Sequence, residues 1–208
     1  YKAVPEGERA WLAKLRIAAM MGKMGKVADA RRYLSDLPAV TIEQRIQVRQ
    51  AEAQLLRDAN DNQGAYDVLV LALKEHPDSP ELLYDTAMVA ERIDRVDDAE
   101  KHLRRVVALK PDDAQALNAL GYTLVDRTPR VAEGQALIER ALKLSPDDPF
   151  ILDSMGWALY KLGRYDEAET YLRRALANRS DAEIAAHLGE VLWAKGKRAD
   201  AETLWRDA

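Results

Sequence analysis

The chain has 208 residues, of which 48% are hydrophobic and 32% are charged, and its formal net charge is −4. This composition is that of an ordinary globular protein with enough apolar side chains to bury a large core. The mild acidity argues against a nucleic-acid partner, and the absence of cysteine excludes disulfides, thiolate metal sites and a cysteine nucleophile.

No stretch of the sequence approaches the roughly 18 consecutive apolar residues of a membrane-spanning helix. We therefore expect no direct membrane insertion by this part of the chain. No signal peptide is recognisable in these residues, the first of which is Tyr1 rather than a methionine. We expect it to be a fragment of a longer protein whose targeting information lies outside it.

Small residues and prolines recur along the chain with a period of 33–35 residues. One ladder consists of Ala18, Ala53, Ala87, Gly121, Gly156 and Gly189. A second ladder consists of Ala30, Ala65, Ala99, Gly134, Ala168 and Ala201. A third ladder consists of Pro77, Pro111 and Pro146. Because the three ladders keep the same phase, they predict an array of about six tandem repeats.

Each repeat is predicted to hold two helices joined by a short turn. The acidic pairs at 112–113 and 147–148 suit helix starts, because carboxylates accept hydrogen bonds from the first amides. Pro149 suits the first helical turn, and Gly163 and Gly196 suit the left-handed position after a helix. In chain order, the predicted helices cover residues 6–23, 26–36, 41–59, 62–76, 79–93, 96–110, 113–127, 130–145, 149–162, 165–178, 181–195 and 198–208.

We interpret residues 1–208 as a single array whose last repeat is truncated. The fourth repeat carries one extra residue in its turn, at 126–130, and Pro38 shortens the second helix of the first repeat. No polar cap covers the last helix, so we expect the natural protein to continue with more repeats. The predicted repeats cover residues of about 11–45, 46–79, 80–113, 114–148, 149–181 and 182–208.

The fifth repeat carries the most specific pattern of the six. Its residues in order are Gly156, Gly163, Tyr165, Ala168, Tyr171, Leu172 and Ala175. This pattern resembles the tetratricopeptide repeat, a unit of 34 residues that forms two helices. The resemblance covers nearly the whole chain and implies an all-α protein, a right-handed superhelical α-solenoid of about six such repeats.

Gly156 stands inside a predicted helix, where glycine costs about 1 kcal/mol relative to alanine. A glycine at such a position is typical of a close approach by another backbone. We predict that Gly156 and Ala168 lie where the two helices of the fifth repeat cross.

No catalytic constellation emerges from the sequence, and we interpret the protein as a non-enzyme that needs no cofactor or metal. His76, His102 and His187 lie in different repeats and form no metal-binding pair, so we expect them at the surface or at helix edges. The acidic pairs at 97–98, 112–113 and 147–148 recur in phase at helix starts, which favours capping over acid–base chemistry.

A partner is expected to bind the concave face of the array, which the first helix of each repeat lines. Helical spacing from the small residues predicts an aromatic and polar groove that would hold a peptide or protein. Some of these rings could instead pack in the core. Asp153 and Glu190 would repel a carboxylate, which disfavours the clamp that binds chaperone tails. The predicted groove residues are Tyr84, Met88, Asn118, Tyr122, Asp153, Trp157, Tyr160, Glu190 and Trp193.

Residues 114–206 resemble one bacterial subgroup, through runs such as Ala116–Thr128 and Ser145–Tyr160. These are long tetratricopeptide proteins of the proteobacterial cell envelope, typically outer-membrane lipoproteins. Some are adaptors that bind a carboxyl-terminal processing protease and deliver cell-wall hydrolases to it. The resemblance implies a periplasmic scaffold, tethered to the outer membrane in the full-length protein, with these partners; a cytoplasmic location is the alternative.

Two other functions are compatible with the sequence. The repeats could be the targeting arm of a larger enzyme, such as a glycosyltransferase or a peptidase. They could also form a pilotin-like assembly factor for a secretin or pilus. A lipobox followed only by repeats would favour the adaptor, and a downstream α/β domain would favour the enzyme.

Overall fold

The computed structural model describes residues 7–207, and within that range the chain forms twelve α-helices in six pairs and no strand. The predicted all-α array of six repeats is therefore confirmed. Every helix end that was predicted within residues 7–207 lies within two residues of the observed one, while the predicted ends at 6 and 208 lie outside the described residues. The helices are α1 (Glu8–Lys23), α2 (Val27–Ser35), α3 (Ile42–Asp58), α4 (Asn62–Glu75), α5 (Pro80–Arg92), α6 (Val96–Leu109), α7 (Ala114–Arg127), α8 (Val131–Leu144), α9 (Pro149–Lys161), α10 (Tyr165–Asn178), α11 (Ala182–Ala194) and α12 (Arg198–Asp207).

The helix boundaries follow from the capping residues that the sequence supplies. At the start of α9 the Asp148 carboxylate accepts hydrogen bonds from the backbone N–H groups of Phe150 and Ile151, at 2.9 and 3.1 Å. Asp113 accepts from the backbone of Ala116 in the same way at the start of α7. These side chains satisfy amides that have no partner within the helix, which confirms the predicted capping role.

The turns between paired helices use a left-handed residue in most repeats. Gly163 and Gly196 have φ angles of 75° and 78°, as predicted, while Asn60 and Asp94 occupy the same conformation at 62°. Asparagine and aspartate tolerate this region better than other side chains with a Cβ. The longer turn of the fourth repeat is different, because Thr128 is extended there and its hydroxyl donates to the carbonyl of Leu124.

The chain divides into two compact units between His102 and Leu103, and each is described by itself. We call them the N-terminal unit and the C-terminal unit. In the N-terminal unit, polar side chains join helices of successive repeats. Gln50 on α3 donates to Asp85 on α5 at 2.8 Å, and the Tyr66 hydroxyl on α4 donates to Asp98 on α6 at 2.9 Å.

In the C-terminal unit the small residues allow close helix crossings. A Cβ atom added to Gly134 would lie 2.5 Å from the backbone oxygen of Gly121, so α7 and α8 meet backbone to backbone. The fifth repeat differs in detail from the prediction. A Cβ atom on Gly156 would meet Cγ of Leu172 at 2.5 Å, whereas Ala168, although fully buried, is not among its nearest neighbours. Gly156 therefore makes room for a leucine side chain one turn beyond the predicted contact.

The small residues of the first two ladders are all buried, and in the C-terminal unit Ala168 and Ala201 belong to one core cluster. Leu117, Ile138 and Leu172 are fully buried, as expected for the apolar faces of paired helices. In the sixth repeat, Gly189 faces the indole of Trp205 on α12. This core fixes the relative positions of α7, α9 and α11, which carry most of the predicted groove residues.

Candidate partner-binding surface

Seven of the predicted groove residues lie on the first helices of the last three repeats. Asn118 and Tyr122 are on α7, and the others are on α9 and α11. We call this face of α7, α9 and α11 the C-terminal face. Its members are Asn118, Tyr122, Asp126, Asp153, Trp157, Tyr160, Lys161, His187, Glu190 and Trp193.

The aromatic rings on the C-terminal face contact one another instead of standing apart. The ring centroids of Trp157 and His187 are 4.2 Å apart with an interplanar angle of 20°, and those of Trp157 and Tyr160 are 4.9 Å apart at 24°. Tyr122 lies 6.3 Å from His187, and Tyr165 lies 5.7 Å from Tyr160. We call these five residues the aromatic row. The row runs through three successive repeats, and such ring pairs contribute about 0.5–1.5 kcal/mol each beyond their buried area.

Trp157, at the centre of the aromatic row, is held by polar contacts as well. Its Nε1–H donates to Oδ1 of Asp126 at 3.0 Å. The Lys161 ammonium lies 4.8 Å from the Trp157 ring centroid and 3.5 Å from the same Asp126 oxygen. The indole is therefore fixed by a hydrogen bond at its edge and by a cation at its ring, before any partner binds.

His187, a member of the aromatic row, forms a buried pair with Asp153. Nδ1 of His187 lies 2.9 and 3.0 Å from the two carboxylate oxygens of Asp153, and both residues are less than 10% exposed. The expectation that His187 lies at the surface or a helix edge is therefore wrong. Burial of the imidazole is possible because the carboxylate accepts its N–H, which offsets the loss of water. Asp153 is therefore buried under the C-terminal face, with its carboxylate hydrogen-bonded to His187.

Tyr160 and Glu190 bring a second carboxylate to the face. Burial of the Tyr160 hydroxyl, together with the negative charge of Glu190 and a hydrogen bond between the two side chains, raises the pKa of Tyr160. Glu190 itself is exposed. Further along α11, Trp193 is 41% exposed, with the guanidinium of Arg198 5.0 Å from its ring centroid. This end of the face therefore presents both an acceptor and an aromatic surface to solvent.

Asn118 has an unusual environment at the other end of the face. Its side-chain oxygen is buried and has no hydrogen-bond partner within residues 7–207. Ser154, which takes the place of His187 in the preceding repeat, turns its hydroxyl to the carbonyl of Phe150 instead. A buried acceptor without a donor costs about 1–3 kcal/mol. The fourth and fifth repeats therefore lack the polar pair that joins the fifth and sixth.

Tyr84 and Met88, the remaining predicted groove residues, lie on α5 in the N-terminal unit, where both are partly buried. Val125 and Phe150 share the helical spacing of the groove residues on α7 and α9 but lie in other surroundings. Val125 is 2% exposed and belongs to the core, while Phe150 is 48% exposed beneath the guanidinium of Arg179.

The groove predicted from the sequence did not include three residues of the C-terminal face: Asp126, Lys161 and His187. Asp126 and Lys161 each stand five residues after the buried glycine of their repeat, and His187 stands two residues before it. Extending the helical spacing to those two positions would have placed all three on the face.

Among residues 7–207 there is no group of three or more side chains that could hold a metal ion, and no helix combines the length and hydrophobicity needed to span a bilayer.

Six helix pairs with buried small residues, and a polar and aromatic face on α7, α9 and α11, define an α-helical repeat protein of the protein-binding type. Models of the tetratricopeptide repeat match residues 56–121 and 154–208, together more than half of the sequence. The chain therefore belongs to the tetratricopeptide repeat family, whose members are typically non-catalytic interaction scaffolds.

The chain is also similar to proteins of known sequence or structure. It is 44% identical over 190 residues to the TPR repeat-containing protein PA4667 of Pseudomonas aeruginosa, a match that covers 91% of this chain and 32% of that protein. The chain thus spans about a third of the length of this relative.

Two solved structures share the fold. PilF of Pseudomonas aeruginosa is 16% identical with a TM-score of 0.70, over 95% of this chain and 89% of PilF. PilW, described as a widely conserved type IV pilus biogenesis factor, is 25% identical with a TM-score of 0.68, over 76% of this chain and 74% of PilW.

Proposed function

We propose that this chain is a non-enzymatic scaffold that binds a protein or peptide partner on the C-terminal face. The observation that carries the proposal is the aromatic row, which is fixed in place and flanked by carboxylates. Tryptophan and tyrosine supply large contact areas and dominate binding energy at many interfaces. A partner meeting this face would find acceptors at Asp126 and Glu190, and the partly exposed rings of Trp157 and Trp193.

The fixed geometry supports binding because it lowers the entropic cost of association. Immobilising a flexible side chain on binding costs about 0.5–1.5 kcal/mol. Trp157 is already restrained by its hydrogen bond to Asp126, and Tyr160 is restrained by its stack on Trp157. A partner therefore gains contact with these rings without ordering them first.

We infer further that the partner is a carboxyl-terminal processing protease and that the scaffold brings cell-wall hydrolases to it. The similarity of residues 114–206 to adaptors of the proteobacterial envelope supports this inference. The full-length protein would then act in the periplasm, tethered to the outer membrane as a lipoprotein. Holding protease and substrate on one scaffold raises their effective concentration without any new catalytic group.

The test is affinity capture from a proteobacterial envelope extract, read by mass spectrometry. The wild-type chain is compared with the double variant Tyr122→Ala/Trp157→Ala. A matched control, Leu71→Ala/Leu144→Ala, removes two exposed apolar side chains from second helices. All three proteins are first checked for folding by circular dichroism.

The expected result is that the wild type and the control retain a carboxyl-terminal processing protease and the double variant does not. Equal retention by all three proteins would place the binding site elsewhere on the chain. Retention of no protease by the wild type would overturn the adaptor function.

A second candidate function is assembly of a pilus or secretin. The observation in its favour is the structural similarity to PilW over 76% of the chain. The same capture experiment separates the two, because a pilus assembly factor would retain secretin or pilus components and no protease. The targeting arm of a larger enzyme would be revealed by a catalytic domain in the complete gene.

A further inference from the structure

Polar pairs join first helices of successive repeats at one repeated register. Gln50, three residues before the buried Ala53, donates to Asp85, two residues before the buried Ala87. Asp153 and His187 stand at the same two positions relative to Gly156 and Gly189 in the C-terminal unit, and they too are hydrogen-bonded. The repeat geometry therefore brings these two positions together in both units, while the residue types at the two positions differ between the units.

The pair in the C-terminal unit has an additional contact that the other lacks. The imidazole of His187 lies between the Asp153 carboxylate, 2.9 Å away, and the ring of Trp157, 4.2 Å away between centroids. A carboxylate that accepts from one ring nitrogen fixes the plane of an imidazole. Trp157 is stacked nearly parallel to that plane, so His187 restrains the plane of the indole, while Asp126 restrains the edge that carries Nε1.

We propose that His187 is a positioning residue for partner recognition. Held by Asp153, it sets the plane of the Trp157 ring and couples the fifth repeat to the sixth at the centre of the C-terminal face. This inference rests on the proposed function, since it assigns His187 a role in the binding site proposed there. A residue that only stabilised the fold would leave the orientation of the Trp157 indole unchanged when it is replaced.

The first part of the test observes the ring directly, without a partner. The chain is labelled with 5-fluorotryptophan, and the ¹⁹F resonance of Trp157 is identified by its loss in Trp157→Phe. His187→Ala removes both the hydrogen bond and the stack, while His187→Gln keeps a donor for Asp153 but removes the stacked ring. His102→Ala, on α6, is the matched control.

Loss of the imidazole ring current alone shifts the Trp157 line, so the readout is its width and number. We expect the Trp157 resonance to broaden or split in both His187 variants, as the indole takes more than one orientation, and to stay a single narrow line in His102→Ala. We expect His187→Gln to unfold near the wild-type denaturant midpoint, because Asp153 keeps a donor, and this variant decides the test if His187→Ala fails to fold. A single narrow Trp157 line in His187→Gln would overturn the proposal.

The second part measures affinity for a purified carboxyl-terminal processing protease by biolayer interferometry. We expect His187→Gln to raise Kd roughly tenfold, which is a change of about 1.4 kcal/mol, while His102→Ala leaves Kd unchanged. A wild-type Kd in His187→Gln would overturn the role in recognition. If the wild type does not bind the protease, the adaptor function fails, and the ¹⁹F spectra alone decide whether His187 positions Trp157.

Discussion

Glycines at the helix crossings show how single residues set the spacing of this array. A Cβ atom at Gly121 would lie 2.8 Å from the backbone oxygen of Gly134, a contact that only a backbone movement could relieve. At Gly156 the neighbour is the buried side chain of Leu172. Both glycines weaken their helices by about 1 kcal/mol relative to alanine, and the closer packing offsets that loss.

Gly156→Leu should lower the free energy of unfolding by about 1–3 kcal/mol, because the added side chain has no room beside Leu172. Urea denaturation followed by circular dichroism measures the change. Ala136→Leu, which adds the same side chain at an exposed position of α8, serves as the control. An unchanged midpoint in Gly156→Leu would contradict the packing described for this crossing.

For single residues, the sequence predicts helix caps and left-handed turn positions better than it predicts which side chains contact each other. The caps at Asp113 and Asp148 and the left-handed Gly163 are predictable, because each depends on its immediate neighbours in the chain. The burial of His187 is not, because it depends on a carboxylate 34 residues away in another repeat. The preference of Gly156 for Leu172 over Ala168 depends likewise on how two helices rotate against each other.

Among the helices, Glu169 on α10 ties the fifth repeat to the sixth. Its carboxylate is 9% exposed and accepts from Lys195 at 2.6 Å, Lys197 at 3.0 Å and Arg173 at 2.9 Å. Burial opposes the charge on Glu169, but the hydrogen bonds from these three cations outweigh it and lower its pKa from 4.5 to about 2. Both lysines belong to the turn between α11 and α12.

Glu169→Gln should lower the free energy of unfolding at pH 7 by about 1–3 kcal/mol, since it removes charge-assisted hydrogen bonds. The folded-state pKa of Glu169 lies below 4.5, so its contribution is complete above about pH 4.5 and disappears as the pH falls towards 2. Urea denaturation of both proteins between pH 7 and pH 2.5 checks this. A difference between them that stayed constant on acidification would contradict the role of the charge.

Tyr66 makes a comparable connection in the N-terminal unit, where its hydroxyl donates to Asp98 and the Arg95 guanidinium lies 4.7 Å from its ring centroid. Tyr66→Phe should cost about 1 kcal/mol, the net value of one hydrogen bond. Thermal unfolding would show this as a lower midpoint. A variant as stable as the wild type would mean that water replaces the hydroxyl without loss.

Element positions were predictable because the ladders sample the same helix face in every repeat. The three ladders, together with the capping residues, were enough to place twelve helices. Contacts of the rings were less predictable, because helical spacing shows which way a side chain points but not what it meets. The rings on α7 and α9 were expected to fill pockets in a partner. Trp157 instead stacks on Tyr160 and His187, and Tyr122 lies tilted against His187.

For the molecule as a whole, the two compact units each have a core of their own. Trp11, Leu34 and Val48 belong to the core cluster of the N-terminal unit, and Ile138 and Leu172 belong to that of the C-terminal unit. In repeat proteins, stability is close to a sum over repeats and nearest-neighbour contacts. A destabilising substitution should therefore lower the stability of its own unit more than that of the other unit.

Leu34→Ala should speed amide exchange in α1–α3 while leaving α9–α12 close to the wild-type rate. Truncating a buried leucine costs about 2–5 kcal/mol, and this loss falls on the N-terminal core. Hydrogen exchange read by mass spectrometry measures each helix separately. Leu172→Ala should give the reverse pattern, and uniform acceleration along the chain in either variant would show a single cooperative unit.

Trp205 occupies the position that leucine or isoleucine holds in the five preceding repeats, and its indole Nε1–H donates to the carbonyl of Ala186 at 3.3 Å. Trp205, which is fluorescent, therefore docks α12. Its ring also stacks on that of Trp193, with the two ring centroids 5.9 Å apart. Detachment of α12 would move this indole from the cleft at Gly189 into water and shift its emission to longer wavelength. The intrinsic fluorescence of the chain, compared with that of Trp205→Phe, therefore reports whether α12 is docked.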